Sequence, residues 1–235
     1  MSKEKIFRDH IDSVVYSEND WAILKKKRDR AVEIMDMFAK EGLNPYIYGS
    51  IARGNVHQNS DIDIVFIDQI PSFQIELILE KNNIKNYFKE ILMATPKDSI
   101  KLYIYLSELE SITVPISKLG KNGEEFYDFG GKINLHQLKE GYRVSGIDKR
   151  LVLIKPTPKG HEEISIIDNE AISAKEVGIR IKTVMERKKV LLKREKYGRT
   201  GVFLKRIIDF DETTEEVLKQ LADRKSIIRK KLYRK

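Results

Sequence analysis

At 235 residues, with 41% hydrophobic and 9% aromatic side chains, the chain has apolar material for one core of about 120 residues plus an appended domain. Its longest apolar runs, such as residues 62–67, are too short to span a membrane, residues 1–10 lack the apolar stretch of a secretion signal, and zero cysteines exclude disulfides and thiol chemistry, so the sequence reads as cytoplasmic with no membrane partner. The net charge of +8 is uneven: residues 1–120 hold 16 Lys and Arg against 18 Asp and Glu, whereas residues 121–235 hold 28 against 18, a bias suited to a polyanionic partner such as RNA.

In chain order, Asn19 and Asp20 are candidate caps for a helix running to Lys40, with Trp21, Leu24, Ala31, Ile34, Met35 and Phe38 spaced for one buried face. Gly42 ends it. Residues 45–48 and 61–67 read as strands, 73–93 as a long helix, and 100–106 and 112–117 as two further strands, the last held to an edge or bulge by Pro115. The glycine-rich stretch 119–146 is the expected interdomain connection. Residues 151–154 and 164–167 then read as strands around a turn at 155–158. The pattern predicts a helix over 173–196, with Val177, Ile181, Val184, Met185, Leu191 and Leu192 inside and a basic outer face. Residues 214–235 are helical by pattern.

The segment YIYGSIARGNVHQNSDIDIVF carries the most chemistry. A strand delivers Gly49-Ser50 into a tight turn, where glycine lets backbone approach a phosphate and Ser50 adds a hydroxyl. Eleven residues on, Asp61 and Asp63 occupy positions i and i+2 of an apolar strand, so their carboxylates share a side roughly 6.6 Å apart along it. Two such acids repel each other, and a divalent cation resolves the repulsion.

This pattern resembles the signature of the DNA polymerase beta-like nucleotidyltransferase superfamily. Residues 143–161 and 198–203 are similar in style to predicted nucleotidyltransferases of archaea. The resemblance implies an α+β fold, with a mixed-sheet nucleotidyltransferase core over residues 1–120 and a basic α+β domain over 121–235 that holds the acceptor. It implies that Gly49, Ser50 and Arg53 hold the phosphates of an NTP, that Asp61 and Asp63 bind Mg²⁺, and that a hydroxyl attacks the α-phosphorus while pyrophosphate leaves. A third carboxylate normally stands on a later strand. By likeness to archaeal CCA-adding enzymes its place falls at Ile112, three residues before Pro115, and Glu110 is the expected substitute.

The acceptor, with RNA as one candidate, is assigned to Arg187, Lys188, Lys189, Lys193 and Arg194 on the basic helix. His161 in a polar turn, His57 between the two motifs and Arg199 between two glycines are weaker candidates for metal or phosphate contact. Three functions stay open: nucleotidyl transfer from an NTP to a hydroxyl acceptor, nucleotide or RNA binding without transfer, and an antitoxin-like or small-substrate transferase.

Overall fold

The computed structural model describes residues 5–199 and 201–233. Its elements begin with β1 (Ile11–Val15), α1 (Glu18–Lys40), β2 (Tyr46–Tyr48), α2 (Ser50–Arg53) and β3 (Ile62–Val65). Then come α3 (Ser72–Lys81), β4 (Phe88–Met93), β5 (Lys101–Ser107), β6 (Glu110–Pro115), α4 (Lys121–Gly130), β7 (Lys132–Asn134) and α5 (Leu135–Lys139). The remainder is β8 (Gly146–Ile147), β9 (Val152–Thr157), β10 (Gly160–Ser165), α6 (Glu170–Glu176), α7 (Ile181–Tyr197), β11 (Leu204–Ile208), α8 (Thr214–Arg224) and α9 (Ser226–Tyr233).

The chain forms two interleaved compact units. One comprises Met1–Val32, Ile47–Ser60 and Glu124–Thr200; the other comprises Glu33–Tyr46, Asp61–Gly123 and Gly201–Lys235. One crossing between the units falls at Gly123–Glu124. The others depart from a linear division, and one reason is β1: its pairing of Ile11 with Ile164 on β10 draws the N-terminal strand into the later half of the sequence.

The second unit is built on strands ordered β11-β4-β5-β6-β3. β3 and β6 run parallel while the other neighbours are antiparallel, giving a mixed sheet and an α+β fold. Alternation divides its residues cleanly between two faces. On one face Ile64, Ile112, Ile104 and Ile91 are fully buried. Helices cover that side: Lys89 on β4 pairs with Glu76 of α3 at 2.9 Å, and Thr214 of α8 donates to the same carboxylate at 2.8 Å.

β6 is an interior strand, and Pro115 is tolerated because it is the last residue, beyond the β3 pairing that ends at Thr113. The helix expected over 73–93 stops at Lys81. Asn83 takes a left-handed φ of 56°, and the apolar residues that follow become β4.

In the first unit β1, β10, β9 and β8 form an antiparallel sheet in that order. Its core joins Phe129, Ile147, Leu151, Leu153 and Ile166 to Val184 and Leu191 of α7. The helix expected over 173–196 is two helices, broken where Gly178 adopts φ +70°. Stretch 119–146 is structured, with α4, β7 and α5, the last closed by a capping box between Asn134 and Gln137. α1 likewise opens on reciprocal hydrogen bonds between Ser17 and Asp20, so Ser17 supplies the cap expected of Asn19. Gly42 ends it at φ +77°. Among the described residues no helix is long and apolar enough to cross a membrane.

Candidate functional site

Asp61 is exposed immediately before β3, and Asp63 lies half-buried within it. The parallel register sets Asp63 beside Ser111 and Ile62 beside Glu110. Directly paired residues share a face, so Ser111 stands next to Asp63, and its hydroxyl donates to the Asp63 carboxylate at 2.8 Å. Val65 pairs with Thr113 on the same face. Glu110 and Ile112 belong to the opposite face with Ile62 and Ile64. Glu110, the expected substitute carboxylate, is thus one residue out of step with Ser111, and one residue along a strand reverses the direction of the side chain. The places beside the aspartate strand carry hydroxyls, Ser111 and Thr113, rather than a carboxylate.

The Asp63 face continues across the sheet. Ser111 pairs with Tyr105 and Tyr105 with Phe88, while Thr113 pairs with Tyr103 and Tyr103 with Glu90. Phe88 and Tyr105 stack at 4.2 Å and 15°. The Tyr105 hydroxyl donates to Glu90 at 3.1 Å, and Lys205 of β11 reaches the other carboxylate oxygen at 3.0 Å. Burial pushes the Tyr103 phenol up to about 12, helped by the charges of Asp63 and Glu90. Tyr105 is raised too, by burial first and then by the charge of Glu90 and the hydrogen bond to it. Both phenols are therefore donors at neutral pH. Tyr103, Tyr105, Phe88 and Glu90 had no distinguishing signal in the sequence, because their common face depends on register between strands.

In the first unit, Gly49 has φ +83°, a conformation that strains any residue with a Cβ. Its amide donates to the Gly131 carbonyl at 2.9 Å and its carbonyl accepts from Arg53 N–H at 3.1 Å, closing the turn that starts α2 at Ser50. The Arg53 side chain is 6% exposed and donates to the Gly130 carbonyl and to Asn55. Burial lowers its guanidinium to about 10. Arg53, expected at the NTP phosphates, ties backbone segments together through these bonds.

Arg28 performs a similar task from α1, donating to the carbonyls of Ile51, Ala52 and Tyr142. Its four-residue offset from Leu24 and three-residue offset from Ala31 place it on the buried face of the helix, a signal present in the sequence. Lys27 fastens the Ser60 carbonyl at 2.6 Å, and the Ser60 hydroxyl accepts from the His57 amide at 2.9 Å. His57 itself is exposed.

The basic helix is less uniformly exposed than its pattern suggests. Arg187 lies over the rings of Phe126 and Phe129, 4.7 and 5.7 Å from their centroids, and Lys188 is paired with Glu170. These two turn inward, whereas Lys189 and Lys193 are exposed and Arg194 is half-buried. Ile181 and Met185, expected inside, are 50% and 49% exposed.

His161 lies within β10, 5% exposed, accepting or donating at Tyr16 through Nδ1 (2.8 Å) and at Glu163 through Nε2 (3.3 Å). It is a core histidine in a hydrogen-bonded network. Arg199 follows the end of α7, where Gly198 takes φ +76°, and neighbouring Thr200 lies outside the described residues.

Among the described residues no cluster of three or more His, Cys, Asp and Glu forms a metal-binding set. Two carboxylates, one oriented by a serine hydroxyl, still fit a magnesium ion that draws its remaining oxygens from water and phosphate. They do not supply ligands for a second ion held by protein alone. Residues 28–119 match the family model of the nucleotidyltransferase domain, a stretch that contains Gly49-Ser50, Asp61, Asp63 and Ser111. No curated protein and no solved structure matches the chain significantly.

Proposed function

We propose that this chain transfers a nucleoside monophosphate from an NTP to an acceptor hydroxyl, using Mg²⁺ held by Asp61 and Asp63. The observation that carries the reading is the pair of acids at the start of β3, with Asp63 oriented by the Ser111 hydroxyl on the sheet face opposite Ile64 and Ile112. Mg²⁺ would neutralise charge on the phosphates, on the acceptor oxygen whose bond to the α-phosphorus forms and on the pyrophosphate oxygen whose bond to it breaks. Asp61 and Asp63 bind and orient, and the Gly49-Ser50 turn contributes an amide-rich backbone and a hydroxyl to phosphate. Lys189, Lys193 and Arg194 remain as acceptor contacts, RNA being the polyanion they suit. The likeness to archaeal nucleotidyltransferases and a cytoplasmic setting belong to the same reading.

Ser111 and Thr113 beside Asp63 favour a second reading, nucleotide binding without transfer, because neither hydroxyl can serve as a carboxylate base. Incubation of the protein with α-labelled NTPs, Mg²⁺ and total RNA, and then with protein acceptors, separates the two. Label moving to an acceptor with pyrophosphate released establishes transfer. Mg²⁺-dependent NTP binding without any labelled product selects the second reading.

A further inference from the structure

We infer that α9, with the turn at residues 94–99, forms a surface that binds the phosphate backbone of a nucleic-acid strand. The inference goes beyond nucleotidyl transfer: it concerns a cationic surface other than α7, and it holds whether or not transfer occurs.

Charge in the second unit is unevenly placed. Residues 224–235 hold seven Lys and Arg and no acid, whereas the rest of the unit holds 11 Lys and Arg against 18 Asp and Glu. Elsewhere in this unit cations meet carboxylates: Lys81 pairs with Glu41, Lys89 with Glu76, Lys205 with Glu90 and Arg206 with Glu212. Among the described residues, those at α9 meet neutral groups instead. Arg229 donates to the carbonyls of Ala222 and Asp223 at 3.1 Å each, Lys231 donates to the Lys97 carbonyl at 3.2 Å, and the Lys225 ammonium stands 5.0 Å from the centroid of the Phe203 ring. Neutral partners hold these side chains in place and leave their charge uncompensated, so a phosphate meets cations already ordered and less entropy is lost on binding. The turn that receives Lys231 also accepts from the Phe203 amide, at the Ala94 carbonyl (3.1 Å), which gathers Lys225, Lys231 and the exposed Lys97 into one neighbourhood.

The solvent face of the helix has the composition of a phosphate contact. Ser226, Arg229, Lys230 and Tyr233 follow one another at three- and four-residue steps and are all exposed, whereas Ile228 is fully buried and Ile227 and Leu232 are half-buried. Cations and hydroxyls are the groups that meet phosphate oxygens in nucleic-acid complexes. With its aliphatic residues covered, the helix has no apolar face to sink into a lipid surface and no aliphatic anchor for a protein partner. The occupant that its charge and hydroxyls suit is a nucleic-acid backbone.

The test is fluorescence anisotropy of a fluorescein-labelled single-stranded RNA of mixed sequence over a series of salt concentrations, without NTP, so that failure of the transfer reading leaves the result unaffected. Joint replacement Lys225→Gln, Lys230→Gln and Lys231→Gln should weaken binding at low salt about tenfold or more and lower the log–log salt slope by about two, for three phosphate contacts at roughly 0.7 each. The joint replacement Lys225→Arg, Lys230→Arg and Lys231→Arg keeps the charge and should keep affinity and slope. Lys230→Gln alone, at an exposed position, guards against misfolding of the glutamine triple and should lower the slope by roughly 0.7. Absence of RNA binding in wild type, affinity and slope unchanged in the glutamine triple, or an equal loss in the arginine triple overturns the surface. Tighter wild-type binding of fluorescein-labelled polyglutamate or of phosphatidylserine vesicles than of the RNA also overturns it, assigning the cations to an acidic protein or to a membrane.

Discussion

Asp63 accepts a hydrogen bond from Ser111, and the register that brings the two together sets Glu110 on the opposite face. Asp61→Asn and Asp63→Asn are each expected to reduce Mg²⁺-dependent nucleotide binding at least tenfold, measured by calorimetry, with the folded spectrum retained and the melting temperature unchanged or higher. Equal binding in wild type and both variants would remove these acids from the site. Glu110→Gln should leave both nucleotide binding and transfer at the wild-type level, because its side chain belongs to the face of Ile62 and Ile64. Ser111→Asp sets a carboxylate directly against Asp63. Like charges at that separation should lower the metal-free melting temperature, and added Mg²⁺ or Mn²⁺ should raise it by more than in wild type. A metal-independent melting shift in that variant would argue against a cation between these positions.

At the scale of elements, α7 shows how a repeated residue type divides into separate tasks. Arg187 covers the Phe126 and Phe129 rings and Lys188 neutralises Glu170, so they hold the helix to its unit, whereas Lys189 and Lys193 face solvent. Arg187→Ala should cost about 1–2 kcal/mol of stability in urea titrations, because the cation–π interaction and the packing of the arginine stem both go. Reversal of Lys189 and Lys193 to Glu should leave stability within about 0.5 kcal/mol and weaken RNA binding, with the log–log salt slope falling by roughly one for each phosphate no longer neutralised. RNA affinity and salt slope unchanged by the double reversal would make this a solvated face. The same helix explains a boundary missed from the pattern. Apolar spacing runs continuously from Val177 to Leu192, and the left-handed Gly178 is what divides α6 from α7.

The whole chain is interleaved, and its N-terminal strand is secured to β10 partly by ionisable groups. Glu163 receives hydrogen bonds from Arg150 and His10 and faces His161, itself bonded to Tyr16; Arg150 also pairs with Asp148. Burial opposes ionisation of Glu163, but the Arg150 and His10 bonds outweigh it and hold the carboxyl at about 2, below its ordinary 4.5. A depressed carboxylate contributes stability that is complete above the unfolded value and is lost as pH falls from 4.5 through about 2. Burial also lowers His161 from 6.5, so protonation of the unfolded chain begins to erode stability below that pH. Both effects have the same sign. Unfolding midpoints should fall between neutral pH and about pH 3, and Glu163→Gln should be less stable at neutral pH yet lose less over the acid range. A parallel decline in wild type and variant would remove Glu163 from the acid response.

Local order in the sequence determined the motif and most elements. Gly49-Ser50 and Asp61-Ile62-Asp63 lie within fifteen residues, strand alternation marked β3, β5 and β6, and spacing marked α1, because each depends on neighbours in the chain. Tertiary structure decided which side chains share a face. The direction of Glu110 follows from the parallel register of β6 against β3, across nearly fifty residues, and a slip of one residue would reverse it. Pairing between distant strands likewise placed Tyr105 and Phe88 on the sheet face of Asp63 and drew β1 to β10. The burial of Arg53 and Arg187 was decided by partners, the Gly130 carbonyl and two phenylalanine rings, that no periodicity around those arginines could indicate.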